Sequence, residues 1–226
     1  MRKEPKTITP DYQKAAIKAT ETLIKYRVES APVDPLPILK NTPGVLVLTC
    51  EEMSDLAHVS RQSLMSMYGC ENQDAVTTAY VSGTVTHYTV AYNRLLPARI
   101  VDLALARELG HIVLGHDGTR PENVRLEEAR CFAHHLMLPR ALVHALSASC
   151  LRITTELIGN VSGFPDRCFS CIRKQPGVSV PPELNRIVRY NFMPYIINFF
   201  EYQRHASKSD ASALADLGTY MDNYEE

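Results

Sequence analysis

Ala104-Leu105-Ala106-Arg107-Glu108-Leu109-Gly110-His111-Ile112-Val113-Leu114-Gly115-His116, followed after a short loop by Leu126-Glu127-Glu128-Ala129, decides the fold. Leu103, Ala106, Leu109, Gly110, Val113 and Leu114 recur at helical spacing, which predicts a largely buried helix. That helix also carries Arg107, Glu108 and His111 within about one turn. Burying such groups is costly unless they are paired or bound to a metal, so their presence points to a site.

The pattern is close to HExxH, in which two histidines on one helix face hold zinc and the intervening glutamate acts as general base. Glu108 and His111 stand at the second and third marked positions, and Arg107 occupies the first. Beyond the loop, Glu127-Glu128-Ala129-Arg130-Cys131-Phe132-Ala133-His134-His135-Leu136-Met137-Leu138-Pro139 forms a second helical segment. Together the two segments resemble the ImmA/IrrE family of metallopeptidases, whose pattern runs L-A-H-E-L-G-H-x-x-L-G-H and then E-A-x-x-F-A-x-x-L-L-M-P. The resemblance extends over roughly residues 10 to 200 and includes Val33-Asp34-Pro35, the extended segment ending at Tyr92-Asn93, and Asn191-Phe192-Met193-Pro194-Tyr195-Ile196.

The resemblance implies an α+β fold with a zincin-like core, in which a small, mostly antiparallel sheet packs on the motif helix and the C-terminal part is helical. It implies a Zn²⁺ site with His111 and Glu128 as ligands, Glu127 being the other register, and Glu108 as base. Arg107 cannot replace the missing ligand, because a guanidinium has no lone pair to give. Two outcomes are physically sensible. Another side chain, Cys131 or His135, completes the zinc site, or Arg107 becomes the buried cation, pairs with Glu128 or Glu108, and no metal is held. The family's function implies a cytoplasmic peptidase of a prophage or mobile element that acts on a helix-turn-helix repressor. The rival expectation is an inactive pseudo-peptidase that regulates by binding that partner, and a weaker one is a DNA-binding regulator.

The rest of the chain sets bounds. Its 226 residues are 45% hydrophobic with a net charge of −1, enough for a core and without global attraction to nucleic acid or anionic membrane. No run approaches a membrane span, and Met1-Arg2-Lys3-Glu4-Pro5 lacks the apolar stretch of a signal peptide, so a cytoplasmic protein with its six cysteines reduced is expected. The organisation expected is a peptidase-like domain over 1–148, a helical extension over 149–205 and a polar tail over 206–226.

Thr9 and Pro10 read as the start of a helix running to about Arg27, Val45 to Thr49 as a strand, and Val76 to Val81 with Val85 to Tyr92 as a hairpin. Residues 51–72 are ambiguous, with a short helix expected near Leu64 to Tyr68. Ile153 to Gly159 and Asp166 to Arg173 read as a helical pair with too few basic residues (Arg167, Arg173, Lys174) for a DNA-reading face. A single helix is expected from about Glu183 to Gln203. His116-Asp117 reads as a helix-terminal cap, His134 as surface, and Tyr88 or Tyr92 as possible cleft walls. Cys168 and Cys171 have C-x-x-C spacing without a second pair.

Overall fold

The computed structural model describes residues 8–60, 62–63, 74–147, 155–164 and 178–206. The Leu64–Tyr68 segment, the second member of the helical pair with its basic residues, the Cys168/Cys171 pair and the polar tail lie outside them. The chain is mixed α+β: nine helices and a three-stranded sheet among the described residues. None of these helices is long and apolar enough to cross a membrane.

Helix α1 (Tyr12–Lys25) starts two residues later than the sequence predicts, because Asp11 is its N-cap and accepts from Lys14 N at 2.9 Å. An aspartate carboxylate outcompetes Thr9 here by satisfying an orphan N–H of the first turn. Helix α2 (Pro35–Lys40) is capped by Asp34 and feeds strand β1 (Val45–Thr49). Thr49 and Glu52 form a capping box that opens helix α3 (Cys50–Ala57), which runs into the stretch whose sequence is ambiguous.

Strands β2 (Ala75–Ser82) and β3 (Val85–Tyr92) form the expected antiparallel hairpin, with Ala75 opposite Tyr92 and Ser82 opposite Val85. β1 runs parallel to β3, Val45 against Tyr88 and Thr49 against Tyr92, so the sheet is mixed with order β1-β3-β2. The crossover from β1 through α3 is what permits a parallel neighbour.

Helix α4 (Ala98–Leu114) is the motif helix and lies against the sheet, α2 and helix α5 (Glu122–Met137). α5 in turn packs on α1. The crossing of α4 and α5 is close because Gly110 has no side chain. A Cβ there would lie 3.0 Å from Phe132 Cδ1 and 3.2 Å from Phe132 Cβ and Cγ. Phe132 is fully buried in the main core with Leu109, Leu136 and Met137 and has nowhere to retreat. Overpacking therefore outweighs the ~1 kcal/mol of helix propensity that alanine adds, and Gly110→Ala should destabilise by about 1–2 kcal/mol in urea unfolding.

Helices α6 (Arg140–Ser147) and α7 (Thr155–Ser162) follow, the latter running three residues past the Gly159 expected from sequence and ending at the left-handed Gly163. The expected single C-terminal helix is two: α8 (Pro182–Asn191) and α9 (Met193–Ala206), broken at the buried Phe192. Pro194 has no N–H to donate to Tyr190, and its ring opposes a continuous helix at that turn.

Candidate functional site

The end of α4 builds the site. Gly115 adopts a left-handed conformation (φ 66°), with its N–H donating to Ile112 O at 3.1 Å and His116 N donating to His111 O at 3.0 Å. This Schellman turn folds the chain back so that His116 returns under His111. The two rings meet edge to face, Nδ1 to Nδ1 at 2.9 Å. His116 is thus a central member of the site, and its expected role as a cationic helix-terminal cap is corrected: its side chain is 1% exposed, and burial lowers its pKa.

Glu128, on α5, is the anion of this centre and is 2% exposed. Its Oε1 accepts from Asp11 N at 2.7 Å and lies 2.9 Å from an Arg120 guanidinium nitrogen. Its Oε2 accepts from the other Arg120 terminal nitrogen at 3.0 Å and from His116 Nε2 at 2.9 Å. A carboxylate offers about four lone-pair positions, and all four have a donor here. The cation that neutralises Glu128 is Arg120, from the loop between α4 and α5, and it does so bidentately.

Arg107 has a different partner from either expected one: it points to Asp74 at the start of β2, with 3.5 Å between NH2 and Oδ2 and a third of its side chain exposed. It still lowers the pKa of Glu108 by its charge, though burial dominates and pushes the Glu108 carboxyl up to about 7. Hydrogen bonding from the Thr77 side chain and backbone offsets part of that burial.

Burial, then the nearby charges of His116, Arg125 and Arg107, depresses His111 to about 4, and burial also lowers His116 despite its bond to Glu128. Both imidazoles are therefore neutral at pH 7, and the hydrogen bonds assign their protons. Carboxylate Oε2 only accepts, so His116 Nε2 carries a proton. His116 Nδ1 then accepts from His111 Nδ1, which leaves a lone pair on His111 Nε2.

The two residues considered as an additional ligand lie elsewhere. Cys131 Sγ faces the Tyr12 carbonyl at 3.5 Å in the core, where burial raises its thiol to about 12. His135, two turns along α5 from Glu128 and about 10 Å away along the axis, is buried and held at about 4 by desolvation and by Arg140. His134 is half-buried against the Phe164 ring, 5.0 Å between centroids, so its expected surface position is also corrected. Glu127 turns outward to Arg130.

A cavity of about 340 Å³ lies between α4, α5 and β2, lined by Arg107, Glu108, His111, His116, Arg125 and Tyr88 among others. Glu108 and His111 reach it from α4, and Val76, Thr77 and Ala79 from β2. Among the described residues no group of His, Cys, Asp or Glu side chains is arranged to hold a metal ion. Sequence reading missed Arg120, Arg125 and Asp74. Arg120 lies two residues before α5, one of several arginines near Glu128 in sequence, and no local signal sets it apart from them. Comparison with protein-family models, curated proteins and solved structures found no match to the chain.

Proposed function

We propose that this chain is a metal-independent relative of the ImmA/IrrE peptidases that binds a helix-turn-helix repressor at the α4–α5–β2 cavity and regulates it by sequestration. The observation that carries this reading is the saturation of Glu128. Zinc in a catalytic site takes three protein ligands. Here the first motif position is an arginine, and the carboxylate that would supply the last ligand already has two guanidinium contacts, an imidazole and a backbone N–H. The donor set does not fit zinc, and burial, offset only in part by Thr77 and Arg107, holds the Glu108 carboxyl up at about 7.

The repressor is expected to co-elute intact with the protein, to equal extents for wild type and Glu108→Gln. Cleavage by wild type that Glu108→Gln abolishes would reject sequestration.

Restoring the first ligand alone should not restore metal binding. Arg107→His is expected to purify without zinc because Arg120 still occupies Glu128. The double substitution with Arg120→Ala, which frees the carboxylate, is expected to take up zinc, as metal analysis of both variants would read.

One observation favours a second reading, an active zinc peptidase. His111 donates through Nδ1 and keeps its Nε2 lone pair, the arrangement that a second-shell hydrogen bond gives a metal-ligating histidine. That reading requires Arg120 to leave Glu128 when metal enters.

A further inference from the structure

The hairpin outgrows the sheet it belongs to. β1 pairs with β3 over Tyr88–Tyr92 only, so residues 79–86 form a two-stranded arm, and every one of them is exposed. Such a ribbon is marginally stable in water by itself. This one also presents apolar side chains on both faces. Tyr80, 58% exposed, and Val85, 51% exposed, share one face, and Val81, 71% exposed, lies on the other. Tyr80 stacks on His87 across the strands, with 5.0 Å between ring centroids.

The edge of the arm is open as well. Asp74 O accepts from Asn93 N at 3.0 Å, so at every second position from there Val76, Thr78, Tyr80 and Ser82 turn their backbone groups toward β3. Ala79 and Val81 turn theirs the other way, where β2 has no neighbouring strand among the described residues. Edges of this kind are normally blunted by a charge, a proline or a bulge. Ala75 to Tyr92 contains no Asp, Glu, Lys, Arg or Pro, in a chain that is 22% charged. The β2–β3 register runs unbroken from Ala75 opposite Tyr92 to Ser82 opposite Val85, so no bulge interrupts it.

Charge decides what this edge accepts best. Across a two-fold axis each charge meets its own kind, and like charges directly opposite are destabilising, so a strand that crosses such an axis is best uncharged. We propose that β2 pairs antiparallel with β2 of a second copy of this chain, with Tyr80 on the two-fold axis opposite the second copy's Tyr80. Ala79 then exchanges both backbone hydrogen bonds with the second copy's Val81, and Val81 with its Ala79. This register draws its hydrogen bonds from exposed residues. It also puts the two Tyr80 rings at a closely spaced, non-hydrogen-bonded pair, where side chains meet across strands. Because the arm projects past the part of the sheet that β1 covers, the two bodies lie at opposite ends of the paired strands. One short strand falls well below the roughly 20–30 residues a side of a standard interface, so the dimer is a weak one, forming over about 10–500 µM.

Sedimentation velocity of the full chain over about that concentration range is the test, and the wild type is expected to pass from monomer to dimer within it. Tyr80→Lys and Tyr80→Glu each set like charges face to face on the axis and are expected to weaken the dimer at least tenfold. An equimolar mixture of the two is expected to recover it as a heterodimer, which unfolded variants could not do. Ala79→Pro removes an outward N–H that β3 does not use and is expected to weaken the dimer at least tenfold as well. A wild type that stays monomeric throughout overturns the proposal. Hydrogen exchange then separates the other occupants: cover by residues 64–73 of the same chain would protect the Ala79 and Val81 amides, and a site kept for a different protein would leave them exchanging freely. A dimer that none of these variants weakens, or charge variants whose mixture stays monomeric, overturns the pairing at Tyr80. None of these outcomes bears on the cavity, whose reading stands or falls on zinc content and partner cleavage.

Discussion

Arg120→Met should lower the unfolding free energy by about 3 kcal/mol, one of the two largest effects expected from a single substitution at the site. Glu128 is 2% exposed and receives both guanidinium contacts from this one residue. Removing Arg120 leaves a desolvated carboxylate held by His116 and the Asp11 N–H alone. Because Arg120 is itself 31% exposed, water entering from its side offsets part of the loss, which keeps the figure at the lower end for a broken buried pair. Replacing both Arg120 and Glu128 by apolar residues of similar size should recover much of it, since the net worth of a buried pair over a packed apolar one is small. Urea unfolding of the single and double variants checks both statements. A cost under ~1 kcal/mol for Arg120→Met would mean that Glu128 is solvated in solution and that the pair is a surface one.

Glu108→Gln should behave in the opposite sense and depend on pH. Burial raises the Glu108 carboxyl from 4.5 to about 7, so the native state holds a proton there that the unfolded chain has released. The contribution of this group to stability is present below the unfolded value and is lost as pH rises through about 7. Glutamine keeps the shape without the charge. Relative to wild type, Glu108→Gln should therefore gain about 2–3 kcal/mol between pH 5 and pH 8. His111 and His135, both held at about 4, act the other way: their contributions are present above 6.5 and are lost as pH falls toward 4. Their opposing slopes mask Glu108 in the wild-type curve, so the comparison must be made between wild type and variant. A difference that stays flat across this range would mean that Glu108 is ionised in the native state.

Much of the frame is legible from local pattern. α4 and α5 follow from apolar spacing, and the hairpin from β-branched alternation around Ser82-Gly83, because each is decided by residues within a few turns of one another. What local pattern cannot carry is pairing at a distance. The parallel contact of β1 with β3 joins segments some forty residues apart and leaves no mark at either end. Arg120 is the sharper case. In sequence it sits in Gly118-Thr119-Arg120-Pro121, which reads as a chain break, and only the fold brings it onto a glutamate eight residues on. His116 reads as a helix end, and it follows one, yet the left-handed Gly115 turns its ring inward rather than toward water. Arg107 stands out because it breaks a pattern. Its partner Asp74 does not, because nothing in the residues around Asp74 distinguishes it from any other acidic residue ahead of a strand.

The central claim, that Glu128 is neutralised by Arg120 and is not a metal ligand, is tested most directly by the zinc content of the wild-type protein, produced with zinc supplied and purified without chelators. The account predicts far less than one zinc per chain. Contradiction would be one tightly held zinc per chain that disappears in Glu128→Gln.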